Sequence, residues 1–208
     1  MSHTRDLFVT RLYEASMAGA AGFAAFNKDL EDACTMLADE DRAGRAWCRS
    51  HGYGGYTSYA SLNDLPTRAT AFAELKRRID RHVRVFSEEL AFDLGPRGRL
   101  RLDSFWVSRL APGAAHSGHI HPHSVISGTY YVATPPGAGS LRLEDPRLPL
   151  MMAAPPRRAD ALCGAGGFVT LEPRPGTLFL WESWLRHEVM ANRAKTSRLS
   201  VSFNYAWS

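Results

Sequence analysis

The sequence predicts an α+β protein that is mainly β, with a jelly roll of short strands and helices packed outside it. Two patterns lead to this prediction. Over the first 95 residues, apolar side chains recur every three or four positions, which is the helical period. From about residue 98 onward, short apolar runs alternate with glycine and proline, which is typical of a sandwich or barrel of antiparallel strands.

The length of 208 residues favours a single domain spanning residues 1–208. Within it we expect a helical N-terminal part over residues 1–95 and a β core over residues 98–208. A chain of this size, with 45% hydrophobic residues, buries enough surface to fold without disulfides. Its three cysteines, Cys34, Cys48 and Cys163, are widely spaced and predict neither a disulfide framework nor a cysteine-type zinc site.

The N-terminal part contains two amphipathic segments. The first begins at Phe23, ends near Gly52 and carries Leu30, Cys34 and Leu37 at helical spacing. The second ends at the Gly95-Pro96 pair, and its apolar stripe consists of Phe72, Leu75, Ile79, Val83, Phe86 and Leu90. These faces leave two alternatives open: they form the contact of a homodimer, or they cover the barrel.

Composition and charge exclude several classes of function. The net charge of +4 comes from basic residues that are scattered, without the dense basic run expected of a nucleic-acid-binding protein. No apolar run approaches the ~20 residues that span a bilayer, and the start of the chain has no apolar core of a secretion signal. We therefore expect a cytoplasmic protein that binds neither nucleic acid nor membrane.

The histidines point to a metal site in the β half. The stretch HSGHIHPHS contains His116, His119, His121 and His123. In an extended segment residues i and i+2 point to the same side, so His119 and His121 can face one metal ion. Pro122 favours a turn that would separate His123 from this face. A solvated histidine cluster, or a weak adventitious metal site, is the alternative interpretation.

The last predicted strand supplies a cation. RLSVSFNYAW alternates strictly, with Leu199, Val201, Phe203 and Tyr205 on one face and Arg198, Ser200, Ser202 and Asn204 on the other. In an open antiparallel sheet this polar face would meet solvent. In a small barrel it would face inward, where the planar fork of Arg198 suits a carboxylate because it makes two parallel hydrogen bonds.

Five segments occur in the order HIHP, SGTYYV, EDPR, WESWLRHEV and RLSVSFN. In these segments the sequence resembles a bacterial and phage group of 2-oxoglutarate/iron(II) oxygenases marked by H-x-H-P, S-G-x-Y-Y, D-P-R, F-x-S-x-L-x-H-x-V and R-x-S-x-S-F-N. This group is part of the prolyl-hydroxylase-like branch of the superfamily. The resemblance covers about residues 100–206, which include every candidate site residue.

The resemblance implies a double-stranded β-helix core and hydroxylation of a C–H bond. The expected cofactors are Fe(II) and 2-oxoglutarate, and the expected partners are O₂ and a small-molecule or peptide substrate, with release of succinate and CO₂. The site residues that the resemblance implies are His119, His121 and His187 as metal ligands and catalytic residues, and Arg198, Ser200 and Tyr131 as contacts of 2-oxoglutarate.

One position departs from the superfamily pattern. Most members have Asp or Glu where His121 stands, which completes a two-histidine, one-carboxylate set of ligands. A third neutral histidine would leave the metal centre one unit more positive and so favour a dianionic cosubstrate. The residues that could replace His121 as a ligand are His116, His123, Glu188 and Asp145.

Two other functions fit part of the pattern. Gly113 stands six residues before His119, as in the first motif of cupin-type metal enzymes, but no glutamate follows before Glu144. In addition, Gly176 is eleven residues from His187, whereas the second cupin motif requires three. A non-catalytic zinc protein is the other alternative, although structural zinc sites are fully ligated and commonly contain cysteine.

Overall fold

The computed structural model describes residues 2–158, 160–161 and 165–208, so Cys163 and part of the stretch between Pro146 and Gly167 lie outside the described residues. The helices are α1 (Phe23–Glu40), α2 (Arg42–Ser50), α3 (Leu65–Arg68) and α4 (Thr70–Glu89). The strands are β1 (Leu12–Ser16), β2 (Gly55–Thr57), β3 (Leu100–Leu110), β4 (His116–His119), β5 (Ile126–Ala133), β6 (Leu141–Glu144), β7 (Phe168–Leu171), β8 (Thr177–Glu182), β9 (His187–Val189) and β10 (Arg198–Trp207).

The strands form two antiparallel sheets. The larger sheet has the order β1-β8-β5-β10-β3-β2, and the smaller one has the order β4-β9-β6-β7. A small apolar cluster that includes Tyr131 and Trp181 of the large sheet and Leu143 of the small one fills the space between them. The predicted class, mainly β with a double-stranded β-helix and helices outside it, is confirmed.

The helices cover the outer face of the large sheet. The apolar stripe of α4 is buried from Phe72 to Phe86, and the Phe72 ring meets the Phe105 ring of β3 edge-on at 6.3 Å between centroids. Leu30 of α1 joins the same core together with Phe203 of β10. Of the two alternatives left by the sequence, the structure therefore shows these helix faces as a cover over the barrel.

The N-terminal part differs from the prediction in two respects. The first predicted helix is two helices, because the Asp41 side chain accepts a hydrogen bond from the backbone N–H of Gly44 at 2.9 Å and caps the start of α2. Strands β1 and β2, only five and three residues long, extend the large sheet at its two edges. Such short strands give too little alternation to be recognised in a sequence.

No helix among the described residues is long and apolar enough to cross a membrane.

If residues 1–208 fold as one domain, a cavity in the helical part must destabilise the barrel too. We expect Phe72→Ala to lower the free energy of unfolding by about 3–5 kcal/mol, since Phe72 is 1% exposed. Val85→Ala, on the exposed side of α4, is the control and should change it by less than ~0.5 kcal/mol. Helical circular dichroism and tryptophan fluorescence should shift together on thermal unfolding. Two separate transitions would contradict the single domain.

Candidate metal centre

Three histidines, two from the facing strands β4 and β9 and one from just after β4, lie close together. One ring nitrogen from each of His119, His121 and His187 can be chosen so that all three atoms lie within 4.8 Å of one another. The ring centroids of His119 and His187 are 4.4 Å apart, and those of His121 and His187 are 5.1 Å apart. This spacing suits nitrogen ligands that share a first-row metal ion at ~2.0–2.1 Å from each.

The small sheet brings these histidines together. His119 ends β4 and is the direct cross-strand partner of His187, the first residue of β9. His121 lies just beyond β4, where its backbone N–H donates to the carbonyl oxygen of Ser183 at 3.0 Å. The i, i+2 pair predicted from the sequence therefore faces the histidine that is most distant along the chain.

Two of the rings are oriented by their own backbone. His119 Nδ1 lies 2.7 Å from the carbonyl oxygen of Ser117, and His187 Nδ1 lies 2.9 Å from that of Leu185. A carbonyl can only accept, so each Nδ1 carries the proton and each Nε2 keeps a free lone pair. His121 has a different neighbour, because its Nδ1 lies 3.5 Å from the side-chain Nδ2 of Asn204.

Burial keeps two of these imidazoles neutral. Desolvation lowers the pKa of His187 to about 3, although its hydrogen bond to Leu185 opposes the shift. Desolvation likewise lowers the pKa of His121 to about 4, and repulsion from His119 adds to the effect. Near neutral pH both rings are therefore unprotonated at one nitrogen, which is the form that ligates a metal.

The four alternative ligands lie outside the three-histidine group. His123 is exposed in the turn after Pro122, with φ of 72°, and His116 stacks on His119 at 4.4 Å between centroids without joining the group. Glu188 pairs with Arg142, and Asp145 pairs with Arg147 at 2.8 Å.

A buried cation lies deeper in the barrel. Arg198 begins β10 and is 4% exposed, and its guanidinium stands 4.8 Å from the centre of the Tyr131 ring. The Nε of Arg198 is buried without a hydrogen-bond partner among the described residues; the buried Tyr131 hydroxyl makes no hydrogen bond of normal geometry but lies close enough to Arg198 to interact with its charge. Burial raises the pKa of Tyr131, so its phenol stays protonated and can donate. Ser200, 2% exposed, lies on the same face of β10.

One cavity joins the three histidines to Arg198 and Ser200. Two tryptophans without a role in the sequence analysis line it, Trp106 and Trp181. Trp181 meets the His187 ring edge-on at 4.7 Å, and its buried indole N–H has no partner among the described residues. The alternation of LFLW in β8, which points Phe179 and Trp181 to the same side, was the signal that could have identified Trp181.

A residue outside the strands also contributes to the wall of the cavity. Tyr53, between α2 and β2, lines the cavity, and the Tyr59 ring meets the Trp106 ring edge-on at 5.1 Å between centroids. The Pro/Arg-rich stretch from Pro146 to Gly167 contributes no described residue to this lining. Its ends instead border a separate groove along residues 6–12.

Comparison with known proteins agrees with this geometry. A protein-family model described as "Putative 2OG-Fe(II) oxygenase" matches residues 104–204, the segment that contains all six predicted site residues. No curated protein is significantly similar to the chain.

Several solved structures share the fold. A prolyl-4-hydroxylase from Pseudomonas putida is 18% identical, with 95% of this chain and 92% of that chain covered and a TM-score of 0.58. HygX from Streptomyces hygroscopicus, solved with nickel and 2-oxoglutarate bound, is 16% identical, with 95% and 82% covered and a TM-score of 0.56. The epimerase SnoN of nogalamycin biosynthesis, solved with Fe3+, alpha ketoglutarate and nogalamycin RO, is 17% identical, with 95% and 79% covered and a TM-score of 0.59.

The chain spans about half, 52%, of a further structure, an oxidoreductase of the 2OG-Fe(II) oxygenase family from Burkholderia pseudomallei, with a TM-score of 0.43.

The ligand set can be tested by metal titration. We expect the protein to bind one equivalent of Co(II), a stand-in for Fe(II) that resists oxidation. Each of His119→Ala, His121→Ala and His187→Ala should weaken binding by at least ~100-fold, because two nitrogen ligands would remain. The control is His123→Ala, an exposed histidine in the same stretch, which should bind like the wild type. Loss of binding in the control, or retention in any of the three variants, would contradict this ligand set.

Proposed function

We propose that this chain is an Fe(II)- and 2-oxoglutarate-dependent oxygenase that hydroxylates a C–H bond, because the model of the 2OG-Fe(II) oxygenase family matches residues 104–204. The residues proposed to hold the iron are His119, His121 and His187, and those proposed to hold the remote carboxylate of 2-oxoglutarate are Arg198, Ser200 and Tyr131.

The observation that carries this proposal is the buried, unpaired charge of Arg198. No described carboxylate forms an ion pair with it, and its Nε is without a hydrogen-bond partner in the described part of the chain. Burying a charge without a partner costs several kcal/mol, so native proteins rarely retain one unless a ligand supplies the counter-charge. A carboxylate that enters the cavity would accept from this guanidinium, from the Ser200 hydroxyl and from the Tyr131 phenol.

The histidine cluster fits ferrous iron. Three imidazole nitrogens supply the intermediate ligand type that suits iron, and three protein ligands leave coordination positions open. All three are neutral ligands, so the net charge of the metal is not reduced. A dianionic cosubstrate bound between this centre and Arg198 would therefore be attracted at both ends.

When bound, Fe(II) and 2-oxoglutarate supply the oxidation: the cosubstrate is decarboxylated to succinate, one oxygen atom of O₂ enters succinate and the other enters the substrate. The chain itself orients the reactants. Trp181 and Leu141 line the cavity with apolar surface, and we propose that they help to exclude water from the reaction. Tyr53 lies near His116 and Trp106 lies near His121, and we propose that both contact the substrate.

The substrate is a small molecule or a peptide, and its aromatic surroundings favour a partly apolar group at the reacting carbon. We propose a cytoplasmic location, where 2-oxoglutarate is supplied and where the free, buried thiols of Cys34 and Cys48 stay reduced.

The carboxylate contact can be tested by calorimetric titration of 2-oxoglutarate into metal-loaded protein without oxygen. Arg198→Ala should weaken binding by about 2–5 kcal/mol, or roughly thirty- to several-thousand-fold, while metal binding persists. Arg198→Lys should recover only part of the affinity, because an ammonium group cannot reproduce the planar fork. The control is Arg109→Ala, an arginine of β3 that pairs with Asp39 outside the cavity.

Two results would refute the proposal: wild-type protein that binds metal but not 2-oxoglutarate, or Arg198→Ala protein that binds it as tightly as wild type. Release of succinate from 2-oxoglutarate in the presence of O₂ is the corresponding assay of turnover.

Adjacent tyrosines provide a second, matched test. Tyr131→Phe removes a hydroxyl proposed to donate to the carboxylate, and it should weaken 2-oxoglutarate binding by about 5- to 10-fold, or about 1–1.4 kcal/mol. Tyr130→Phe is the control, since the Tyr130 hydroxyl donates to Asn27 Oδ1 at 3.1 Å on the helix side of the sheet. The Tyr130 variant should keep the wild-type affinity. Equal affinities in all three proteins would remove Tyr131 from the site.

A further inference from the structure

His121 lacks the local support that the other two histidines have. The Nδ1 atoms of His119 and His187 face backbone carbonyls two residues earlier in the chain. Among the described residues, the only hydrogen-bonding group near the Nδ1 of His121 is the side-chain amide of Asn204, at 3.5 Å. Eighty-three positions separate these two residues, so tertiary packing alone brings them together.

We propose that Asn204 is the positioning residue that holds His121 in the tautomer required of a metal ligand. The inference rests on the metal site of the proposed function. A histidine that binds metal through Nε2 must carry its proton on Nδ1, and that proton needs an acceptor. The Asn204 side-chain amide, whose Nδ2 lies 3.5 Å from this Nδ1, would supply that acceptor through its oxygen once the amide is rotated.

A buried hydrogen-bond network holds the Asn204 amide in place. Its Nδ2 donates to Ser104 Oγ at 2.8 Å, and its Oδ1 lies 2.7 Å from Ser127 Oγ. Ser127 Oγ in turn lies 2.8 Å from Ser183 Oγ. Ser183 also accepts the backbone N–H of His121 through its carbonyl oxygen, so the same network fixes both the backbone and the ring of this histidine.

In the structure the donor Nδ2 of Asn204 faces His121, as it would face an unprotonated Nδ1. Metal binding at the Nε2 of His121 requires the tautomer with a proton on Nδ1. In that tautomer the Nδ1–H of His121 and the Nδ2–H of Asn204 would face each other. Rotating the amide by 180° exchanges Oδ1 and Nδ2 and removes this conflict. The neighbours tolerate the exchange, because the hydroxyls of Ser104 and Ser127 can each donate or accept. The amide can thus serve the metal-bound tautomer without losing either hydroxyl contact.

This role is specific to position 121, where the chain has a histidine and most of the superfamily has Asp or Glu. A carboxylate ligand at position 121 has no N–H group, whereas a histidine that binds metal through Nε2 has an Nδ1–H that needs a hydrogen-bond acceptor. Asn204 matters for His121 and should not matter for an aspartate in its place. That difference separates a positioning role from a purely structural one.

The test is a double-mutant cycle on Co(II) affinity, measured calorimetrically with metal-free protein. Asn204→Leu, which keeps the size of the side chain and removes its polar atoms, should weaken Co(II) binding by roughly 10- to 100-fold. Asn204→Asp should bind Co(II) more tightly than wild type or no more than ~3-fold more weakly, because a carboxylate is a stronger acceptor for the Nδ1 proton of His121. In a His121→Asp background, adding Asn204→Leu should change the affinity by less than ~3-fold.

Asn27→Leu is the control for loss of a structural amide, because Asn27 donates to the Val132 carbonyl outside the barrel. It should leave Co(II) affinity unchanged. The visible spectrum of bound Co(II) gives an independent readout of ligand geometry. It should differ from the wild-type spectrum in Asn204→Leu and should match it in Asn204→Asp and Asn27→Leu.

The outcomes are distinguishable. Equal losses from Asn204→Leu in the wild-type and His121→Asp backgrounds, or an Asn204→Asp protein that loses more than ~10-fold, would overturn the positioning role. Should Asn204→Leu fail to fold, the Asn204→Asp comparison decides on its own. Wild-type protein that does not bind Co(II) would instead refute the metal site of the proposed function.

Discussion

Both faces of strand β10 must be buried, and this requirement ties the fold to the site. The strand lies inside the large sheet, paired with β3 on one side and β5 on the other. Val201 and Phe203 on one face pack under the helices, while Arg198 and Ser200 on the other face line the cavity. A register slip of one residue would push the arginine into the apolar core and expose phenylalanine to the cavity. The packing of the helices therefore fixes the direction in which the cation points.

The charge balance of the centre follows from its ligands. If the three neutral histidines are the ligands, as proposed, both charges of a ferrous ion remain uncompensated by the protein, and Arg198 adds a third. A dianionic cosubstrate neutralises two of these three positive charges and leaves one. If one ligand were a carboxylate, the cosubstrate would leave no net positive charge. Because Arg198 and His187 are buried, such charges interact more strongly than they would in water. The site is therefore electrostatically suited to hold its anion before any substrate arrives.

Sequence patterns were sufficient where the signal is local and periodic. The spacing of His119 and His121, the alternation of β10 and the stripe of α4 each follow from the geometry of one element, and the structure places all of them as that geometry requires. The pairing of position 121 with Asn204 could not be predicted, because it depends on where the end of β10 lies relative to a turn in the other sheet. The break at Asp41 was missed for another reason: a capping side chain interrupts a helix without changing its apolar period.

The three histidines also differ in how far their support extends. His119 and His187 obtain theirs from carbonyls two residues away, so each short segment carries its own orientation wherever it is placed. His121 depends on a distant strand. During evolution His119 and His187 can therefore be retained while much of the surrounding sequence changes. His121 can be retained only if its distant partner is retained too. Substitutions at 121 and 204 should accumulate as a correlated pair across homologues, and H-x-H-P and S-F-N should be gained or lost together.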